Sequence, residues 1–401
     1  MNFFIAAALL LSSPFAALAQ TGSSDAEDLR ERLKALEGRL QKLESAPVHG
    51  GISPSALNPS IGMSLDSVLR VNDYSKSGFF FRSAELHVGA AVDPHLKAWA
   101  IINGNSAAVE VEEAAVKTTA LPHALTLTAG RLFASFGRLP HFHDHELPTV
   151  DRPQSIDVYV GGESKADGVE ASWLFPTPFF LTGVLGVYNK LGADNTRTTD
   201  AALRPLDELT YLGRVATSAD LGADHSVEVG LSSAWTPKRT VQEDTTFTAS
   251  PARAVVTRKN TWRTLHGVDL TVRWQPTSGG VYRGAAWGTE VLQHNERRFA
   301  PLSRLPVDRV RGWAGYSFIE VKAGRRWRPG FLVDLTQDLD DAKILNRTFA
   351  SYLTFDISGH NRLRLQYSRM TNNDPRRQGN NLLSLQWSTI IGHHAHGFRD
   401  R

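Results

Sequence analysis

The feature that most constrains this chain is a period of two that returns repeatedly between Met63 and Phe398. Phe80, Ala84, Leu86, Val88 and Ala90 alternate with Ser83, Glu85, His87 and Gly89. The same pattern sets Val227, Val229 and Leu231 against Glu228 and Gly230, and Val268, Leu270 and Val272 against Asp269, Thr271 and Arg273. Leu363, Leu365 and Tyr367 alternate with Arg364 and Gln366, and Leu383, Leu385 and Trp387 with Ser384 and Gln386. Strands with one apolar and one polar face follow. Each run has about ten residues, the length a tilted strand needs to cross the hydrocarbon layer. After Gln20 no stretch reaches the roughly 18 uninterrupted apolar residues of a membrane helix.

Weaker runs bring the expected count to about 16 strands, and barrels of this kind have an even number. A soluble sandwich would alternate in the same way. Two features favour an all-β transmembrane antiparallel barrel. Trp173, Tyr188, Trp235, Trp274, Tyr367 and Trp387 stand at strand ends, where an interfacial girdle belongs. Tight connections such as 222–224 and 358–361 contrast with long polar ones at 190–208, 236–261 and 295–310, as short turns at one rim and long loops at the other require. The 401 residues contain no Cys, which counts against a disulfide-stapled exported domain, and a formal net charge of +3 is too small to imply nucleic acid.

Ahead of the barrel the sequence divides into three parts. Residues 1–19 read as a signal peptide, an apolar run ending at Ala17-Leu18-Ala19, although no Lys or Arg precedes it. As a membrane anchor the run is short and is broken by Ser12, Ser13 and Pro14. Residues 25–45 read as a short coiled coil, with Ala26, Leu29, Leu33, Leu36, Leu40 and Leu43 on one narrow seam that meets its own copy in another subunit. An amphipathic helix lying on its own domain is the competing reading. Residues 46–62, rich in Pro, Gly and Ser, form a linker, and 63–398 form the barrel.

One connection is far longer than a strand connection needs. Between Gly130 and Trp173 lie Phe133, Phe136, Phe142 and Tyr159, which offer apolar surface, and Pro140, Pro148 and Pro153, which stiffen the segment. A loop of this size that packs on itself needs a wall to pack against.

The layout of the mature chain resembles the porins similar to the phosphate-selective porins O and P. The specific residues are Gly130-Arg131, Phe136-Gly137-Arg138, Asp151-Arg152-Pro153 and Asp167-Gly168-Val169, in that order. The resemblance implies a 16-stranded trimeric barrel of the bacterial outer membrane, bounded by lipid, with residues 131–166 folded inward. The constriction would then be built from Arg131, Arg138, His141, His143, Asp144, His145, Glu146, Asp151 and Arg152. That family lines its pore with Lys and Arg, whereas this loop is rich in His and acidic residues.

By strand parity Glu85, His87, Glu170, Glu228, Asp269, Arg273 and Arg364 face the lumen, and their mixed signs imply weak selectivity. The expected function is a passive diffusion channel for small hydrophilic or ionic solutes, with no catalytic residues and no cofactor. The alternative is a component that binds or takes up a divalent metal such as zinc, with His141, His143 and His145 as ligands and His393, His394 and His396 as a second cluster. Solvated loop histidines are the plain reading of the same residues. Two further readings are a structural protein whose coil ties the barrel to the cell wall and an outer-membrane hydrolase, for which no triad or Gly-rich phosphate loop stands out.

Overall fold

The computed structural model describes residues 59–73, 75–193, 198–200, 204–244, 255–277, 282–299, 306–339 and 341–392. The expected signal peptide, the coiled coil and His393, His394 and His396 lie outside the described residues. The described residues all belong to one compact unit.

Strands follow one another as β1 (Ser60–Asn72), β2 (Gly78–Asp93), β3 (Leu96–Gly104), β4 (Val109–Thr118), β5 (Leu125–Phe133), β6 (Lys165–Leu174), β7 (Phe180–Tyr188), β8 (Thr198–Asp200) and β9 (Thr210–Asp220). They continue as β10 (His225–Asp244), β11 (Val255–Trp274), β12 (Arg283–Phe299), β13 (Pro306–Ala323), β14 (Trp327–Gln337), β15 (Leu345–Asp356), β16 (Asn361–Asn372) and β17 (Asn380–Gly392). Among the described residues one α-helix, α1 (Gln154–Tyr159), sits in the connection between β5 and β6. β1 starts at Ser60, inside the segment expected to be linker, because Ser60, Ile61 and Gly62 already pair with Gly89, Val88 and His87.

All 17 strands share one sheet, and every pairing is antiparallel. β7 pairs directly with β9, while β8 touches only the far end of β10, so 16 strands make the wall. The ladder from Gly62↔Gly392 to Asn72↔Leu382 joins β1 to β17 and closes the barrel. Closure satisfies every ladder within one chain, which is what an unhydrated environment demands.

Connections sort by rim as the sequence implies. The turns at 94–95, 119–124, 175–179, 221–224, 324–326 and 357–360 share one rim with the start of β1 and the end of β17. The longer connections, including 134–164, share the other, but the long loops expected at 236–261 and 295–310 are largely strand, because β10 runs on to Asp244, β11 starts at Val255, β12 runs on to Phe299 and β13 starts at Pro306. Leu231, Val268 and Val291 lie side by side across β10, β11 and β12, exposed on the outer face. Trp173, Trp235, Trp274, Tyr367 and Trp387 are exposed on that face too, as are Trp287, Trp313 and Trp327. An apolar outer band carrying this many Trp side chains is the lipid-facing surface of a membrane barrel. Tyr188 is the exception to the expected girdle. It points inward, 1% exposed, and donates its hydroxyl to Glu170 at 2.7 Å.

Candidate functional site

Residues 134–164 leave the long-loop rim after β5 and return to β6. Two single turns of 3-10 helix, Leu139–His141 and Asp144–Glu146, precede α1. Local bonds set their shape. Glu146 caps the second turn by accepting from the His143 backbone N–H at 3.1 Å. Arg152 donates to the carbonyls of Leu139 (2.8 Å) and Phe142 (2.7 Å) and to Asp144 (2.9 Å), sewing the first half of the segment to its second half. α1 has only 6 residues and cannot stand alone. Its first turn is held from outside the segment, by Ser155 donating to Asp334 of β14 from both N–H (2.9 Å) and Oγ (2.5 Å).

The segment lies inside the lumen and packs on its wall. Phe136, Leu139, Leu147, Ile156, Tyr159 and Val160 are fully buried and pack with Leu265, Leu292, Phe318 and Leu332 of the barrel wall. Those wall positions face inward, where a water-filled barrel would carry polar residues. Each buried side chain of this size contributes about 1.5–3 kcal/mol. Gly137 lets the backbone lie against β12: its φ is +62°, and a Cβ there would collide with the Glu290 carboxylate.

Polar anchors reach around the wall. The Gly137 N–H donates to Ser232 (3.1 Å), the Val150 N–H to Gln366 (2.8 Å), and Arg364 to the Thr149 carbonyl (2.9 Å). Arg263 donates to the Tyr159 carbonyl at 2.5 Å. From β1 and β2, which follow β16 and β17 around the wall, Arg70 pairs with Asp151, and Arg82, paired with Asp66, also donates to the Val150 carbonyl. The segment therefore spans the lumen from β16, β1 and β2 on one side to β10, β11 and β14 on the other. Towards the short-turn rim lies a cavity of about 510 Å³ lined by Arg325, Arg326, Arg328, Asp356 and Arg362.

A second group of side chains joins the segment to β2 and β4. A β-bulge opposite Ile101 and Ile102 turns both Glu112 and Glu113 inward. His143 Nδ1 lies 3.2 Å from Glu112 Oε2 and 3.5 Å from Glu85 Oε2, and its Nε2 lies 3.3 Å from Glu113 Oε1. His145 Nδ1 and His87 Nε2 stand 3.3 and 3.5 Å from Glu85 Oε2. Close by, Lys165 meets Glu110 (2.8 Å), Glu163 (3.2 Å) and Glu112 (3.3 Å). Burial first, and then the charges of Glu112 and Asp144, push the Glu163 carboxyl up to about 7.

Parity places Glu85, His87, Glu170, Glu228, Asp269, Arg273 and Arg364 on the lumen side, but most are anchors rather than open wall. Asp269 holds Arg214 at 2.6 Å, Glu170 accepts from Ser135 and Tyr188, and Arg364 bonds Thr354, Gln386 and Thr149. Glu228 and Arg273 are the two left partly open, their side chains 33% and 29% exposed. Arg138 joins them, donating to Glu228 at 3.2 Å.

Within the segment, Asp144 and Asp151 stay partly exposed in their ion pairs, while Arg152 and Glu146 serve its internal structure. Two expectations need correction. Arg131 is not in the constriction. It shares the outer face with Leu125, Leu127 and Ala129, half exposed, and pairs there with Asp167 at 2.6 Å across β5 and β6. Nor do His141, His143 and His145 converge. The 3-10 turns break the extended alternation, and His141 stacks on Phe142 (ring centroids 4.6 Å apart) away from the other two. Burial and then the charges of Arg214, Arg138 and Arg152 depress its pKa to about 3. The partners that His143 does find, Glu112 and Glu113, sequence reasoning missed.

Comparison with known proteins agrees with this architecture. No family model matches the sequence. An uncharacterised protein of Aquifex aeolicus (strain VF5) is 27% identical over 344 residues, 80% of this chain and 70% of that protein. Among solved structures the barrel is similar to the high-pH form of Pseudomonas putida OprB (TM-score 0.56, 12% identity, 83% of this chain and 94% of that one). It is similar to the anion-selective porin of Comamonas acidovorans (TM-score 0.56, 11% identity, 83% and 99% coverage). A trimer form of Vibrio cholerae OmpT, an outer membrane protein, superposes with a TM-score of 0.53 at 9% identity, covering 83% and 99%. The fold is thus that of outer-membrane porin barrels.

Proposed function

We propose that this chain is an outer-membrane porin, a passive diffusion channel for small hydrophilic or ionic solutes and not an enzyme. The observation that carries the reading is the 134–164 segment, packed and hydrogen-bonded across the lumen from one wall to the other. A folded obstruction inside a closed barrel acts on whatever passes through it. Charge preference is weak on this reading, because the partly open Arg273 and the buried Arg138 flank Glu228 and the loop's Arg152 is tied to Asp144. Phosphate selectivity, the finer implication of the sequence resemblance, is not part of the proposal.

Assembly into trimers fits the outer surface. Arg131 and Asp167 form their pair on an outer face that also carries small residues, among them Ala98, Ala100, Ala114, Ala129 and Ala171. A charged pair is expensive against lipid and acceptable against a neighbouring subunit. One similar structure, the Vibrio OmpT, is described as a trimer.

The test is single-channel recording of the purified protein in planar bilayers. Removal of His141 to Pro148 is expected to raise conductance, since those residues occupy the narrowed cross-section. Conductance unchanged by the deletion would remove the segment from the conduction path.

A further inference from the structure

The His143 cluster is more than an ion-pair network in its geometry. Two carboxylates, Glu85 and Glu112, are each 2% exposed and meet one imidazole in the lumen wall. One ligand atom from each of Glu85, Glu112 and His143 lies within 4.8 Å of the other two. Around a tetrahedral zinc with bonds of about 2.0–2.1 Å, neighbouring ligand atoms stand roughly 3.3 Å apart. Two edges already match, at 3.2 and 3.5 Å from His143 Nδ1. Charge-assisted hydrogen bonds between these groups would be shorter, about 2.7–2.9 Å.

The surroundings brace each ligand in the manner of a metal site. His143 Nε2 faces Glu113 Oε1 at 3.3 Å, and Glu113 in turn accepts from Trp99 Nε1 at 2.7 Å. A carboxylate behind the imidazole fixes its tautomer and leaves Nδ1 to bind. Glu112 presents Oε2 because its Oε1 accepts from Asn103 at 2.8 Å. Glu85 is flanked by His87 and His145. The buried negative charge of Glu85 and Glu112 also matches a dication.

We propose that Glu85, Glu112 and His143 bind a divalent transition ion, with zinc as the best match, that clamps the lumen segment to β2 and β4. Carboxylate oxygen and imidazole nitrogen together suit zinc, whereas calcium and magnesium prefer oxygen alone. Three protein ligands leave a fourth position for water. The ligands stand on β2 and β4 while the Arg364 anchor stands on β16, so the stretch from His143 to Thr149 is held at two places. It stands whether or not the barrel conducts, since it concerns only how the segment is held.

Zinc binding to the detergent-purified full chain tests the site. A background with His393, His394 and His396 changed to Ala removes the histidine tract that follows β17 in sequence, and metal is supplied both during refolding and afterwards. One ion per chain is expected by elemental analysis and by competition with a chromophoric chelator. Glu112→Gln and His143→Ala should each weaken binding at least about tenfold, and Trp99→Phe, which frees Glu113, by about 10-fold. His141→Ala should leave it unchanged. Cobalt in place of zinc should give the visible absorption of a four-coordinate site in the parent and lose it in His143→Ala. Heat-modifiable mobility on gels identifies a variant that has not closed its barrel, and the cobalt spectrum of the unaltered protein does not depend on any variant. Substoichiometric zinc in that background, or equal affinity in the parent and His143→Ala, would overturn the proposal and leave protons on the imidazoles as the counter-charge.

Discussion

Arg364 Nη1 donates to the carbonyl oxygen of Thr149 at 2.9 Å, joining residues 215 positions apart. Arg364 is fully buried, and its guanidinium also bonds Thr354 and Gln386 at 3.0 Å. One side chain of β16 thus ties the lumen segment to two neighbouring strands.

Replacing Arg364 by Ala is expected to loosen the middle of the segment around Thr149 without opening the barrel. Each lost hydrogen bond to a charged group is worth about 1.5–3 kcal/mol, and the Thr149 carbonyl is left without its donor. Limited proteolysis should cut within 141–153 faster than in the parent, and single-channel records should become noisier. Parental cleavage rates would show that the apolar packing alone holds the segment.

Glu163 gives that seating a pH dependence. Its carboxyl is raised to about 7 in the packed segment, against about 4.3 when free. A raised carboxyl favours the packed form most below the free value, and the advantage is lost as pH rises through the packed value. From pH 5 to pH 8 the segment should become easier to displace, read as faster cleavage. Glu163→Gln should flatten the dependence. A profile as steep in Glu163→Gln as in the parent would assign it to another group.

Much of this architecture is legible in the sequence because a half-buried strand writes its environment at every second position. Parity sorts Glu85 from Leu86 and Asp269 from Val268 correctly. The same rule, applied further, sends Arg131 outward with Leu127 and Ala129 and turns Tyr188 inward while Val187 faces out. The adjacent pair Glu112 and Glu113 holds a subtler signal. Strict alternation would put one of these carboxylates into lipid, which is unfavourable for a charge, and a bulge avoids this. The interior of 134–164 is not legible in this way. Its contacts are to wall residues such as Asp334, 179 positions from Ser155, and its 3-10 turns erase the period that would tell which His faces which wall.

The outer band can be tested at Val268, which is 51% exposed between Leu231 and Val291. Val268→Arg should destabilise the folded barrel by about 2–4 kcal/mol near the bilayer midplane. Urea titration of the protein refolded in lipid vesicles would measure it. Stability within about 0.5 kcal/mol of the parent would mean that this face is wet and not in contact with lipid.

Charge preference should turn on Glu228. It accepts from Arg138 at 3.2 Å and from Arg273 at 3.5 Å, and it is the carboxylate between two guanidiniums at the partly open part of the wall. With Glu228→Gln both cations lose their counter-charge while the side chain keeps its size and its acceptor oxygen. Anions are then concentrated locally, because charge lining a narrow low-dielectric channel attracts its counter-ion. Reversal potentials in a KCl gradient should shift towards the chloride equilibrium potential. The shift should be larger at 0.1 M than at 1 M salt, where the screening length falls from about 10 Å to about 3 Å. A shift towards potassium, or none at low salt, would place the conduction path away from Glu228 and Arg273.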